Sequence, residues 1–335
     1  MILAALAGSA FGAAANADVT PAATMLRFPD VSADKICFVY ANDVWVAPKT
    51  GGMATPLASP PGQESLPKFS PDGKSIAFAG NYDGNRDLYV IPATGGFARR
   101  ATHHPAGENL SDWTPDGKLL FISNGLAGLQ RQSQIFTVAP TGGMPEKLPV
   151  PYGAFSSISP DGAWLAYTPH SVDNRTWKRY RGGMATDIWL FNLKDKSSKR
   201  VTDYEGVDSI PMWVPGGDGK VLYYHSDNGP EHRMNIWAYD VATGKHEQIT
   251  SYKDDDTKWP SIGPGSDGKG EIVFQLGSKL MLLNLGTRQA TEVKITIPGD
   301  RPTIRPRTVD QSKNIGGGSI SPTGKRGAIE ARGAL

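Results

Sequence analysis

The sequence predicts an all-β fold: a six-bladed β-propeller of four-stranded antiparallel blades, followed by the truncated start of a second propeller. Three observations predict it. A turn motif of the form Ser-Pro-Asp-Gly-Lys recurs along the chain at similar intervals. Pairs of short alternating strands keep step with it. The 335 residues include 39 glycines and 26 prolines, which disfavours a helical bundle and suits short strands joined by tight turns.

The turns set the period. Phe69-Ser70-Pro71-Asp72-Gly73-Lys74 returns as Trp113-Thr114-Pro115-Asp116-Gly117-Lys118 and as Ile158-Ser159-Pro160-Asp161-Gly162-Ala163. Degenerate copies run from Trp213-Val214-Pro215 to Asp218-Gly219-Lys220 and from Ile262-Gly263-Pro264 to Asp267-Gly268-Lys269. The earliest, Val31-Ser32-Ala33-Asp34-Lys35, lacks the glycine, and the last is Ile320-Ser321-Pro322-Thr323-Gly324-Lys325. From Pro71 to Pro322 the prolines stand 44, 45, 55, 49 and 58 residues apart. Proline presets such a turn and Asp-Gly supplies the positive φ that it requires.

Each turn is followed by an alternating strand, such as Ser75-Ile76-Ala77-Phe78 or Trp164-Leu165-Ala166-Tyr167. A loop and a second strand come next: Val44-Trp45-Val46, Leu88-Tyr89-Val90, Ile135-Phe136-Thr137-Val138, Ile188-Trp189-Leu190, Ile236-Trp237-Ala238-Tyr239 and Leu280-Met281-Leu282-Leu283. A turn that is often Thr-Gly-Gly leads into a short closing strand, as in Thr141-Gly142-Gly143 before Lys147-Leu148. Four short strands per period of about 45 residues is the pattern of a propeller blade. Residues 29–298 hold six such units, with 299–318 as a linker and 319–335 as the first strands of the second propeller. The tryptophans follow the repeat, Trp45, Trp189 and Trp237 in one register and Trp113 and Trp213 in another, which assigns them to sheet packing.

Charge is balanced at net +2, which leaves no cationic excess for wrapping a polyanion and predicts no nucleic-acid partner. The single cysteine, Cys37, lies in the apolar run Ile36-Cys37-Phe38-Val39-Tyr40 and reads as a buried strand residue. Residues 1–17 form an apolar, small-residue run ending in Ala15-Asn16-Ala17, read as a signal peptide despite the missing n-region cation. Residues 18–28 would follow as a leader, the chain would be exported or periplasmic, with a cytoplasmic location as the alternative, and no integral membrane segment is expected.

With the repeats laid out, a resemblance follows. The repeat is similar to those of TolB-like and WD-type propellers. Three features resemble the six-bladed N-terminal propeller of tricorn-type serine proteases. They are the opening from Pro29-Asp30-Val31 to Asp43-Val44-Trp45, the insertion Trp177-Lys178-Arg179-Tyr180-Arg181-Gly182-Gly183 before Ile188-Trp189, and the new repeat at Ser319-Ile320-Ser321-Pro322. The resemblance implies a non-catalytic propeller portion of a peptide-processing serine protease, acting in substrate gating or docking and in assembly. Its implied partners are peptides or unfolded polypeptide segments, the rest of the protease chain and, at full length, further copies in a homo-oligomer. It also implies catalytic residues outside this chain and a continuation past Leu335. The alternative is a free-standing TolB-like periplasmic protein-binding propeller, although blade material from Phe28 leaves no room for the α/β domain that precedes the TolB propeller. A prolyl-oligopeptidase-type propeller is a third possibility, disfavoured by six blades and a new repeat.

No residue of this chain is assigned a catalytic role. There is no G-x-S-x-G elbow, and Gly265-Ser266-Asp267-Gly268, though similar to the nucleophile segment of tricorn-type proteases, occupies a turn slot of the repeat. No cofactor and no metal are expected: the six histidines form no H-E-x-x-H pair, and Asp254-Asp255-Asp256 reads as a solvated charge run. The candidate substrate- or partner-binding residues are Trp177, Lys178, Arg179, Tyr180 and Arg181, which combine cations with aromatic anchors in the longest loop; a loop folded back on the rim is the structural alternative. The resemblance also implies a basic pair that anchors a substrate C-terminus. Blade alignment places Glu108-Asn109 there, and Arg99-Arg100 stands elsewhere in the repeat, so that role is not carried over.

Overall fold

The Asp-Gly turns take the conformation their sequence demands. Gly73, Gly117, Gly162, Gly219 and Gly268 have φ of +70°, +81°, +71°, +68° and +72°, a region in which a side chain is strained. The hydroxyl at the head of the turn buttresses it. Ser70 Oγ donates to Asp72 Oδ1 at 2.6 Å and accepts from the Ser75 amide at 3.0 Å, and Ser159 and Asp161 repeat the arrangement. The serine hydroxyls and following amides hold the Asp72 and Asp161 carboxyls below the usual range.

Six antiparallel sheets each hold four strands in chain order; these turns connect the first and second strands in five of them, and Ser32-Ala33-Asp34 does so in the first. The computed structural model describes residues 23–127, 132–174, 178–299, 308 and 310–331. Blade 1 comprises Arg27–Val31, Lys35–Tyr40, Asp43–Pro48 and Thr55–Ala58. Blade 2 comprises Gln63–Phe69, Ser75–Asn81, Arg86–Pro92 and Arg99–Arg100. Blade 3 comprises Glu108–Trp113, Leu119–Ser123, Gln134–Val138 and Glu146–Lys147. Blade 4 comprises Ser156–Ile158, Trp164–Tyr167, Trp189–Asn192 and Ser198–Arg200. Blade 5 comprises Asp208–Trp213, Val221–Ser226, Asn235–Asp240 and His246–Gln248. Blade 6 comprises Thr257–Gly263, Glu271–Leu276, Lys279–Asn284 and Gln289–Val293. The all-β, six-bladed expectation holds. The expected signal peptide 1–17 lies outside the described residues.

The core lies between blades. Cys37, Val39 and Val44 of blade 1 meet Ile76, Phe78 and Ile91 of blade 2, and the other blades repeat the arrangement. Cys37 is fully buried. Trp113 and Trp213 are buried, and Trp113 Nε1 donates to the Lys68 carbonyl of blade 2 at 3.0 Å. The first strand starts at Arg27, earlier than the expected boundary at 29. Leu26 is buried in the seam between blades 1 and 6, which explains why the chain is drawn into the ring there.

Among the described residues, no blade is completed by a strand from the opposite end of the chain. The seam instead combines a core of Val31, Ile36 and Phe38 with Val273, Leu280 and Val293, and a short parallel pairing of Ile295–Thr296 with Gly52–Met53. Lys49 Nζ reaches Glu271 Oε2 at 2.8 Å across it. Gly263 permits the close approach: a Cβ there would lie 2.2 Å from the Val31 carbonyl oxygen.

Residues from Pro298 onward form a second unit. Its described part has a 3-10 turn, Ser312–Asn314, and a hairpin of Ile315–Ile320 with Gly327–Ala331. Gly324, at φ +66°, makes the same type of turn as the blades.

Candidate functional site

The innermost strands carry a pattern beyond the turn motif. Three residues before each aromatic or aliphatic residue that leads into the turn stands a large apolar side chain: Phe28, Leu66, Leu110, Phe155, Ile210 and Trp259. In blades 1, 2, 5 and 6 a proline follows it, and there the residue itself is left-handed, with φ of +49°, +52°, +47° and +50°. Strand pairing shifts register at this point in blades 1, 2, 3, 5 and 6. Each shift is a bulge, and a bulge re-aims a side chain. The six side chains together line a cavity of only about 30 Å³ in the channel. That is room for about one water molecule. Phe28 and Trp259 stand with ring centroids 4.6 Å apart, and Phe155 reaches Trp259 at 5.9 Å although blade 5 lies between their blades. These residues form a septum.

On the turn side of the septum, two residues on, stand the polar Asp30, Lys68, Asp112, Ser157 and Ser261, with Met212 in blade 5. Asp30 Oδ2 accepts from the Phe69 amide at 2.7 Å, and Lys68 Nζ lies 3.8 Å from Asp30 Oδ1. Ser261 donates to Asp30 and receives a hydrogen bond from Lys68, joining blades 1, 2 and 6. Asp112 Oδ2 accepts from Ser157 Oγ at 2.8 Å. Burial pushes both carboxyls up, with Lys68 opposing it. Beyond this layer the channel widens to a mouth of about 410 Å³ ringed by the Asp-Gly turns.

On the other side of the septum lies a cavity of about 150 Å³, floored by Ile210 and Trp259 and bordered by the long loop of blade 4. His170 and the Met184 carbonyl, 3.0 Å apart, close the base of that loop. The loop reaches over blades 5 and 6. Lys178 Nζ donates to Asp256 Oδ2 at 2.5 Å, and Arg179 Nε to the His232 carbonyl at 2.9 Å. Arg181 donates to Asp227 Oδ2 at 2.9 Å and to the Tyr204 hydroxyl, and its guanidinium lies 4.9 Å from the centre of that ring. Burial pushes the Asp256 carboxyl up, but Lys178, the Met234 amide and Arg179 outweigh it and hold it below the ordinary value. Gly206 leaves room for the Arg181–Asp227 pair; a Cβ there would lie 2.5 Å from both partners.

The structure therefore brings Lys178, Arg179 and Arg181 together as anchors on buried carboxylates. Tyr180 is partly exposed, and Trp177 lies outside the described residues. Asp254 and Asp255 are exposed as expected, but Asp256 is buried. It departs from a solvated run because the Lys178 and Arg179 cations meet it. Ser266 lies between the first two strands of blade 6, with its hydroxyl 3.3 Å from Glu271 Oε1. Arg100 is paired with the buried Asp87 at 2.6 Å, while Glu108 is buried and accepts from Thr102. No group of three or more metal-ligating side chains occurs among the described residues. No helix among them is long and apolar enough to cross a membrane. Reading the repeat from its turn missed the septum; the recurring apolar-proline pair was its signal.

Residues 23–289 match the family described as the tricorn protease N-terminal beta propeller domain. The chain belongs to this family. A relative of this tricorn-type propeller, tricorn protease homolog 1 of Streptomyces coelicolor, is 27% identical over 315 residues. That alignment covers 92% of this chain but 28% of the relative, so the chain spans little more than a quarter of its length. The solved tricorn protease superposes with a TM-score of 0.69 at 21% identity, over 89% of this chain and 28% of that one. TolB from Acinetobacter baumannii shares the fold, with a TM-score of 0.60 at 19% identity over 78% of this chain and 63% of that one.

Proposed function

We propose that this tricorn-type propeller is the non-catalytic part of a longer serine peptidase, where it docks peptides or unfolded segments and contributes to assembly. The observation that supports the reading best is a family match through all six blades that extends over only about a quarter of a relative. In this reading the nucleophile and its base belong to other parts of the polypeptide, and the hairpin 315–331 opens a second propeller. The loop bearing Lys178, Arg179, Tyr180 and Arg181 is the docking edge. Its cations fix the loop's shape, and its partly exposed aromatic side meets the partner. The septum favours docking over passage, since a peptide conduit needs this constriction to open.

The test has two parts. The reading frame is followed past the codon for Leu335, where further blades and a protease region are expected. Purified chain is then assayed with peptides, for which binding without hydrolysis is expected. Hydrolysis that disappears in Ser266→Ala overturns the assignment of that turn. A stop codon directly after Leu335 removes the peptidase and leaves the second reading, a free-standing TolB-like binding propeller, which the shared fold supports. Export through residues 1–17 is part of the proposal, and N-terminal sequencing of the mature protein, expected to begin at Asp18, tests it.

A further inference from the structure

The chain carries two Asn-Gly pairs, Asn124-Gly125 and Asn228-Gly229, and each follows the second strand of its blade. An asparagine before glycine is able to modify itself, because no side chain on the glycine keeps its amide nitrogen from the neighbouring carboxamide. The fold treats the two pairs differently. In blade 3 the Gly125 amide donates to Ser123 Oγ at 3.2 Å, which holds the nitrogen that would attack. In blade 5 the corresponding serine, Ser226, takes the amide of Asn228 instead, at 3.1 Å, because Asp227 is interposed. The Gly229 amide is left with no protein acceptor among the described residues.

Asn228 is exposed and outside any strand, and its carboxamide makes no hydrogen bond among the described residues. Gly229 is buried, but the reacting atoms belong to adjacent residues, so it is the exposed side chain that turns. The turn motif shows what protection looks like. The amides of Gly73, Gly117 and Gly162 donate to the Ser70, Thr114 and Ser159 carbonyls at 2.8, 2.9 and 2.8 Å. The hydroxyls of the same three residues hold the Asp72, Asp116 and Asp161 carboxyls.

We infer that Asn228 is a site of spontaneous deamidation that sets the grip of the long loop of blade 4. The Gly229 nitrogen gives up its proton and bonds to Asn228 Cγ. The side-chain nitrogen takes the proton and leaves as ammonia, and a cyclic imide remains. Water then opens the imide at either carbonyl. Opening at Cγ gives aspartate, and opening at the backbone carbonyl gives isoaspartate, whose main chain runs through the side-chain methylene. The change falls between two acceptors of the loop: Arg181 donates to Asp227 Oδ2 on one side of it and Arg179 to the His232 carbonyl on the other. The extra methylene of isoaspartate alters the spacing of these acceptors, whereas aspartate leaves it unchanged. The inference does not rest on peptide docking.

The test incubates the whole chain at mildly alkaline pH, folded and, for reference, in denaturant. Peptide mapping by mass spectrometry reads the exchange of amide for acid, and enzymatic carboxyl methylation reads isoaspartate. Asn228 is expected to convert several-fold faster than Asn124 in the folded chain and at a similar rate in denaturant. Equal rates in the folded chain, or faster conversion of Asn124, overturn the site. Trypsin cleavage after Lys178, Arg179 and Arg181 reads the loop and is expected to run several-fold faster in the converted chain than in the fresh one. Asn228→Gln incubated in parallel, and fresh Asn228→Asp, which adds the charge without the methylene, are expected to be cut as slowly as the fresh parent. Unchanged cleavage of the converted chain, or equal acceleration in Asn228→Gln, overturns the link to the loop.

Discussion

Phe155 of blade 4 and Trp259 of blade 6 meet edge to face, with ring centroids 5.9 Å apart, although a whole blade separates them around the ring. The contact exists because both side chains line the small central cavity. Leu66 of blade 2 and Ile210 of blade 5 join the same cluster. The apolar centre of this propeller is thus continuous with the core between blades 5 and 6.

The septum makes an unusual prediction about glycine. Removing the Trp259 side chain costs about 3 kcal/mol or more, as for other large aromatics. Glycine normally lowers stability further than alanine does in a strand. At Trp259, φ of +50° reverses the order, because alanine keeps the Cβ strain that glycine relieves. Trp259→Gly should therefore be about 1 kcal/mol more stable than Trp259→Ala. Leu110, which is not left-handed, should show the ordinary order. Urea unfolding of the four variants checks this, and a common order at both sites contradicts the bulge.

Closure of the ring rests on Gly263. Its place 2.2 Å from the Val31 carbonyl leaves no volume for a methyl group, and the obstacle is backbone, which cannot rotate away. Gly263→Ala should cost about 2–3 kcal/mol, in the upper range for overpacking. Because the damage falls on the seam, amide exchange should accelerate first at Ile295–Thr296 and Gly52–Met53. Exchange that accelerates evenly around the ring would mean that the seam is no weaker than the other blade interfaces.

The long loop should depend on its cations unequally. Arg181 covers Asp227, whose side chain is 3% exposed, whereas Lys178 is itself half exposed. Arg181→Met strands a buried carboxylate and should cost about 2–3 kcal/mol, less than for a fully buried pair because the guanidinium is partly solvated. Lys178→Met should cost about 1 kcal/mol or less. Adding Asp227→Asn to Arg181→Met should recover part of the loss. Equal costs for the two single variants, measured by denaturant unfolding, would remove Arg181 as the principal anchor.

Much of this fold was legible because its signals are local. Asp-Gly turns and alternating strands are written within ten residues, so Phe69 to Phe78 alone defines half a blade. Cys37 as a strand residue follows from its own neighbours. The septum was less legible because it is a property of the ring: Phe28 and Phe155 become neighbours of Trp259 only after six blades close. The loop was found as the longest connection, but the sequence placed its cations beside no partner. Asp227 and Asp256 are 46 and 78 residues distant from Arg181 and Lys178, and nothing local marks them as buried.

Buried carboxyls should make stability fall as pH rises toward neutrality. Glu64, Glu108 and Asp208 each stand two residues before a septum residue, and burial pushes each to about 7. In the unfolded chain they titrate near 4. Between these values the folded state binds more protons than the unfolded state, so stability declines with increasing pH. Burial of Asp30, Asp112 and Asp173 acts in the same direction. His225 acts in the opposite sense: with a folded pKa of about 4 against about 6.5 unfolded, it favours folding as pH rises through that interval. The carboxyls outnumber it, so Tm should drop between pH 5 and pH 8. Glu108→Gln removes one contribution and should flatten the profile, gaining on the parent at pH 8 relative to pH 5. The Thr102 hydroxyl can still donate to the amide oxygen, so the buried position keeps a partner. Thermal unfolding at constant ionic strength reads both effects, and a Tm that rises across this range, or a Glu108→Gln profile parallel to the parent's, would show that these carboxyls ionise without penalty.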